Sequence, residues 1–204
     1  MALDLHIANA PSVYKINLKS KLQRKLIYRG KADVHRWMTD RQHRLRLGFG
    51  RDGTKVFSRL LDLKTQQWRN IWQYELFESP DITPLGFGLD PNHLHIRANH
   101  QERYAIFKVN LAESEMPRVL IYADENYDVE GALIYSSKTN DVIGVYHGEA
   151  DNSKVFFDPA YLAFQTAIYK ALPNAYNNIA STSADEEIYA VSYTHLRAHE
   201  TSKH

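Results

Sequence analysis

Three arginines are the residues best suited to chemistry in this chain. Arg44 and Arg46 lie in HRLRLGFG, and Arg97 lies in HLHIRANH. Each alternates with apolar neighbours, which places it on the polar face of a strand. A guanidinium binds a carboxylate through two parallel N–H···O bonds. Arginines along a channel would therefore meet peptide carboxylates; the plainer reading is a solvated strand face. His93 and His95 share a face, with His100 nearby. Imidazoles two apart can share a metal, but no carboxylate or cysteine stands at ligand spacing. A solvated or channel-facing strand edge is expected, with no metal and no cofactor. Residues 48–53, GFGRDG, match G-x-G-x-x-G. A dinucleotide site needs a helix to start there. A strand follows instead, so the motif reads as a hairpin turn with Gly53 supplying positive φ. Trp37, Trp68 and Trp72 are read as packing between sheets.

The elements that must hold these residues repeat. Residues 13–28, 56–73 and 106–122 each contain a strand, a polar turn and a second strand. Each first strand ends in an apolar residue, then Asn or Asp, then Leu: Asn17, Asp62 and Asn110 are 45 and 48 positions apart. Between and after these hairpins lie further strand pairs, joined through Asp40, Asp90 and Asp141, with a fourth such pair turning at Asp185. Asx side chains bond their own backbone in such turns. His43, Leu45, Leu47 and Phe49 are expected on one face, Arg44 and Arg46 on the other. Leu94, Ile96 and Ala98 oppose His93, His95 and Arg97. Four strands per repeat of roughly 40–50 residues is the plan of a propeller blade. The fold class expected is all-β: a partial β-propeller of about four antiparallel blades with one inserted surface helix.

That helix is expected over residues 158–172, DPAYLAFQTAIYKAL. Asp158 suits the N-cap and Pro159 the first helical position. Tyr161, Phe164, Gln165, Ile168 and Leu172 fall on one face, and Pro173 ends the helix.

The 204 residues suffice for one domain, and the net charge of +1 offers no electrostatic reason to propose nucleic acid or an anionic membrane. There is no cysteine, so no disulfide or thiolate chemistry. No signal peptide and no membrane-length apolar run is visible. The compartment stays open between cytoplasm and periplasm.

The runs GALIYSSKTNDVIGVYHG, KVFFDPAYLAFQTAIYKALPN and NNIASTSADEE resemble the N-terminal β-propeller of prolyl-oligopeptidase-type serine peptidases, nearest to bacterial dipeptidyl- or acylaminoacyl-peptidase-like members. The resemblance covers residues 13–190. It implies a propeller that precedes an α/β-hydrolase domain, covers its Ser-Asp-His site and limits access to short peptides. The partners implied are that hydrolase domain and short peptide substrates. The G-x-S-x-G elbow is absent from this chain, so no catalytic residue is carried over. A stand-alone propeller binding protein partners or carbohydrate is the rival reading.

Residues 1–190 are expected to form the partial propeller, truncated at both ends. Residues 191–201, VSYTHLRAHET, resemble the conceptual translation of a transposase mosaic end with its sequencing adapter. Residues 191–204 are therefore expected to be an artefactual disordered tail that interrupts a strand. On that ground His195, His199 and Glu200, although spaced H-x-x-x-H-E, are given no metal role.

Overall fold

The structure, a computed structural model, describes residues 10–78, 82–147, 153–173 and 175–195. Its strands form five separate sheets, and every pairing is antiparallel. The first sheet pairs β1 (Val13–Asn17) with β2 (Gln23–Tyr28). The second runs in chain order through β3 (Val34–Thr39), β4 (Leu45–Asp52), β5 (Lys55–Leu61) and β6 (Trp68–Glu75). The third repeats that plan with β7 (Ile82–Phe87), β8 (His93–His100), β9 (Arg103–Asn110) and β10 (Arg118–Tyr122). The fourth holds β11 (Leu133–Tyr135), β12 (Val142–His147) and β13 (Ser153–Phe156). After it comes the helix α1 (Pro159–Ala171), and then the fifth sheet, β14 (Ala175–Thr182) with β15 (Tyr189–His195). The chain is therefore mostly β, with several small antiparallel sheets and one helix among the described residues.

The turns explain why these breaks fall where they do. The Asn17 side chain accepts from the Lys19 N–H, Asp62 from Lys64 and Thr65, and Asn110 from Ala112. Each anchor thus satisfies backbone donors that leave the ladder at a strand end. In the preceding hairpins Asp40 accepts from Gln42 and Arg44, and Asp90 from Asn92. The fourth and fifth hairpins differ from expectation. There the turns open on Ser136, which accepts from Lys138 and Thr139, and on Ser183, which accepts from Ile188. Asp185 stays within its turn, accepting from Glu187. Asp141 instead reaches across to the Leu89 N–H, 2.8 Å away.

The second, third and fourth sheets pack face to face in turn. Leu47, Phe49 and Leu60 of the second sheet pack against Phe87, Leu94, Ile96, Ala98 and Val109 of the third in one buried cluster. Burying a side chain of this size contributes roughly 1.5–3 kcal/mol, which makes this cluster the main stabilising contact described. The other face of the third sheet supplies Ile106 to a second cluster with Val129 and Val145. Between the first and second sheets, Tyr28, Trp37 and Trp68 meet ring to ring, with centroids 5.0 to 5.6 Å apart. Trp72 packs against the cluster between the second and third sheets. All three tryptophans thus do the inter-sheet packing expected of them.

One strand departs from simple alternation. The β3–β4 register slips between Met38 and Thr39, which pair with Leu47 and Leu45 and leave Arg46 as the extra residue. A bulge of this kind re-aims side chains. Leu45 faces the first sheet, beside Val13 and Tyr14. Arg46 faces the third, with its guanidinium carbon 5.2 Å from the Phe87 ring centre. The two residues have exchanged the faces that alternation gives them. His43 stands outside the strand with φ +60°.

The helix follows its sequence closely. Asp158 accepts from the Ala160 and Tyr161 N–H groups, and Pro159 takes the first helical position. Tyr161, Phe164, Gln165, Ile168 and Leu172 are the partly covered residues. Gln165 donates to the Lys154 carbonyl of β13, and Phe164 meets Tyr189 of β15 at 4.2 Å between ring centres. The helix lies where a fourth strand would follow β13.

At the C-terminal end the strand is not interrupted. β15 continues through Val191 to His195, pairing Ile179 with Val191 and Ala175 with His195. The alternation of Val191, Tyr193 and His195 with small polar residues suffices for a strand once β14 presents an unpaired edge. This corrects the expectation of a contact-free tail for residues 191–195. His199, Glu200 and the rest of 196–204 lie outside the described residues.

Candidate functional site

A cleft of about 710 Å³ lies between the second and third sheets. Arg46 enters it from β4, Arg44 from the residue just before that strand, Arg69 from β6, and Lys64 from the β5–β6 turn. Pro91, Asn92 and Leu111 close it from the turns of the third sheet. Four cations thus face one space whose lining holds a single carboxylate, Asp62. That carboxylate is engaged by two turn N–H groups at 2.8 Å, and the bond from Thr65 is the main cause of its lowered pKa.

The arginines are fixed unequally. Arg44 is held by Asp40 at 2.8 Å through both Nε and a terminal nitrogen, and its side chain is 45% exposed. Arg46 is only 3% exposed. It donates to the Pro91 carbonyl at 2.6 Å and lies 3.9 Å from Asp40. Its Nε has no hydrogen-bond partner among the described residues. Burial is the main cause that pulls its pKa below the ordinary arginine value, with Asp40 opposing. Arg69 donates to the Leu111 carbonyl at 3.0 Å, tying β6 to the third sheet. Several donors remain available to an anion entering from solvent, and a partly desolvated site strengthens such contacts.

Arg97 does not join this group. It points to the far side of the third sheet, donating to the Glu130 carbonyl at 3.4 Å with its guanidinium over the Tyr104 ring. Arg44 and Arg46 are brought together; Arg97 is not. The histidines also separate. His93 is partly exposed beside Asp90, at 3.7 Å. His95 is 5% exposed, stacks on Phe157 and has an unpartnered Nδ1. The expectation of a solvated edge fails at His95, because the fourth sheet covers that face of β8. Desolvation lowers its pKa to about 4, so it is neutral near pH 7. Among the described residues no group of three or more His, Asp or Glu is placed to hold a metal ion.

Arg69 and Lys64 were not singled out from sequence. The one signal was Arg near the head of two fourth strands, Arg69 and Arg118. A second assembly also escaped notice. Arg41 stacks on Tyr135 at 3.9 Å and bonds Asn140 by side chain and backbone, which ties the second sheet's turn to the fourth's. Gln42 donates to the Leu89 carbonyl, and Tyr135 donates to the Phe87 carbonyl. The hairpin turns of three sheets are thus bonded together at one end. In the adjoining turn, the Tyr161 hydroxyl donates to Glu186, which also accepts from Ser136 and Ser137. Burial first, then this bond, pushes the Tyr161 pKa to about 12, so the phenol is a fastener rather than a base.

No helix among the described residues is long and apolar enough to cross a membrane. No family model, curated protein or solved structure matches the chain.

Proposed function

We propose that this chain is a run of β-propeller blades that gates the active site of a prolyl-oligopeptidase-type serine peptidase acting on short peptides. The observation that carries the reading is the series of like-built antiparallel sheets, of which the second, third and fourth pack in turn through buried faces. Blades stack in this way because none can bury both faces alone. The cationic cleft supports the same reading, since four positive groups beside one committed carboxylate suit the free carboxylate of a peptide. The cleft lining holds Ser114 but no histidine, so it binds without cutting. Hydrolysis belongs to an α/β-hydrolase partner domain, which supplies the activated serine and oxyanion donors.

A fluorophosphonate probe tests the proposal. The purified chain stays unlabelled, while the product of the whole gene, sequenced on both sides of residues 1–190, is labelled at one serine outside them. Stoichiometric labelling of this chain would overturn the reading. So would a whole gene product that takes no label, which would leave a stand-alone propeller binding protein partners or carbohydrate.

A further inference from the structure

The cationic cleft is built between the two four-stranded sheets, so neither of its walls belongs to a two-stranded one. Its cations form two poles on the second sheet. Arg46 stands near the head of β4, with Arg44 just before the strand. Arg69 stands near the head of β6, with Lys64 in the turn that leads to it. β5 runs between the poles: Leu60 pairs with Leu47 on one side and with Arg69 on the other. Neighbouring strands lie about 4.8 Å apart, which sets the backbones of the two poles roughly 10 Å apart. The ground between them is apolar. Leu60 lies on the second sheet, and Pro91, Leu111 and Ala112 face it from the third.

Each pole has donors for a ligand. Arg46 uses Nη1 on the Pro91 carbonyl, while its buried Nε has no hydrogen-bond partner among the described residues. A buried donor without an acceptor is costly, and it marks a bond that a ligand oxygen can make. The edge formed by Nε and Nη2 is one through which a guanidinium takes a carboxylate by two parallel bonds. Arg69 uses Nη2 on the Leu111 carbonyl and is otherwise exposed. The acids around the cleft are committed to their own turns. Asp40, Asp62 and Asp90 each accept backbone N–H groups there. All three favour the charged form of Arg46 against its burial.

We propose that the cleft receives the C-terminal end of a peptide whose last residue is Glu or Asp, with one carboxylate at each cationic pole and the short aliphatic stem on Leu60 and Leu111. This rests on the reading of the cleft as a site for a peptide carboxylate, and narrows it to acidic ends. Two separated poles with apolar ground between them suit two carboxylates joined by an aliphatic stem. A lone carboxylate answers only one pole. A phosphate is one compact centre that cannot span both, and the lining holds no glycine to bring a run of backbone N–H groups around it. At about 710 Å³ the cleft is of the size that holds a small ligand, so it takes the end of a short peptide.

Isothermal titration of the purified chain with acetyl-Ala-Ala-Glu tests the proposal. The expected result is a single site. Acetyl-Ala-Ala-Gln and the C-terminal amide of acetyl-Ala-Ala-Glu should each bind about tenfold more weakly, because each lacks one carboxylate. Lys64→Gln with Arg69→Gln, both at exposed positions, should reduce acetyl-Ala-Ala-Glu to the level of those singly charged peptides, with the circular dichroism spectrum unchanged. The proposal is overturned if no peptide binds, if all three bind alike, or if the double variant binds acetyl-Ala-Ala-Glu as the parent does. It is overturned equally if inorganic phosphate binds as tightly as the peptide. Glutarate binding as tightly would overturn the peptide assignment and leave a free dicarboxylate. The peptidase reading fails separately. A labelled whole gene product with no titration here sinks only the acidic-end proposal, and titration here with an unlabelled gene product sinks only the peptidase.

Discussion

Arg46 and His95 occupy one slot in two sheets built on one plan. Each lies two residues beyond the carbonyl that closes its hairpin turn, on the second strand, facing the sheet that follows. Both are buried, at 3% and 5% exposure, and each keeps one nitrogen without a hydrogen-bond partner among the described residues. Their solutions to burial differ. Arginine does not deprotonate in a protein, so Arg46 needs Asp40 behind it and the Pro91 carbonyl in front. Histidine can discharge, so His95 needs only the apolar wall of Phe157 and a pKa near 4. A charge kept at this slot leaves the second sheet with a cleft that attracts anions. A charge given up leaves the third sheet a closed seam.

The largest effect should come from removing the group that lets Arg46 stay charged. The Asp40 side chain is wholly buried, caps its turn and neutralises two arginines. Asp40→Ala should cost about 3–5 kcal/mol in urea denaturation, the usual penalty for breaking a buried ion pair. Asp90 caps the equivalent turn of the third sheet but is 49% exposed. Asp90→Ala should cost only about 1 kcal/mol, the worth of a lost side-chain cap. Equal costs would break the distinction drawn between the two sheets.

Next in size is the pH response of His95. Its pKa falls from 6.5 unfolded to about 4 folded, with Asp141 opposing the burial and Lys108 and His93 adding to it. Between these values the unfolded chain binds the extra proton, so stability is full above pH 6.5 and is lost as pH falls towards 4. The loss attributable to this group is about 3 kcal/mol at most, by the linkage of pKa shift to free energy. His95→Phe should flatten the pH dependence of the denaturation midpoint within that window. An unchanged slope would show that His95 is not the buried neutral group described.

A smaller effect separates the opposite faces of the same strands. Ile96 fills its site with its own side chain and is fully buried. In the second sheet Gly48 leaves room for Trp37, and an added Cβ would lie 2.6 Å from a ring carbon. Gly48→Ala should therefore cost roughly 1–3 kcal/mol by overpacking, and shift the tryptophan fluorescence.

The smallest effect concerns the hairpins between second and third strands. β4 and β5 turn through Gly53 at φ +58°, whereas β8 and β9 turn through Gln101 and Glu102 at φ +50° and +70°. Two side chains in the left-handed region suggest a turn that Asn-Gly would relieve. Gln101→Asn with Glu102→Gly should raise stability by about 1 kcal/mol or less.

The elements were legible because their signals are local. Asn17, Asp62 and Asn110 each bond backbone within three residues, and Asp158 and Pro159 start their helix from inside one turn. The arginines were legible as a type but not as a set. Arg44 and Arg46 share a cleft because a bulge in β4 turns Arg46 over, and nothing in HRLRLGFG announces a bulge. Arg97 keeps its alternation and so faces away from the cleft.

Sequence alone thus determined where strands begin and end, which turns carry caps, and which helix face is covered. These depend on dihedral preferences and on hydrogen bonds that close within a few residues. Tertiary structure decided which polar groups are buried, which meet, and which lose their charge. His93 and His95 read alike in sequence, yet one lies beside Asp90 in water and the other under Phe157. That difference is set by a sheet formed some fifty residues later, because desolvation depends on what covers a residue and not on its neighbours in the chain.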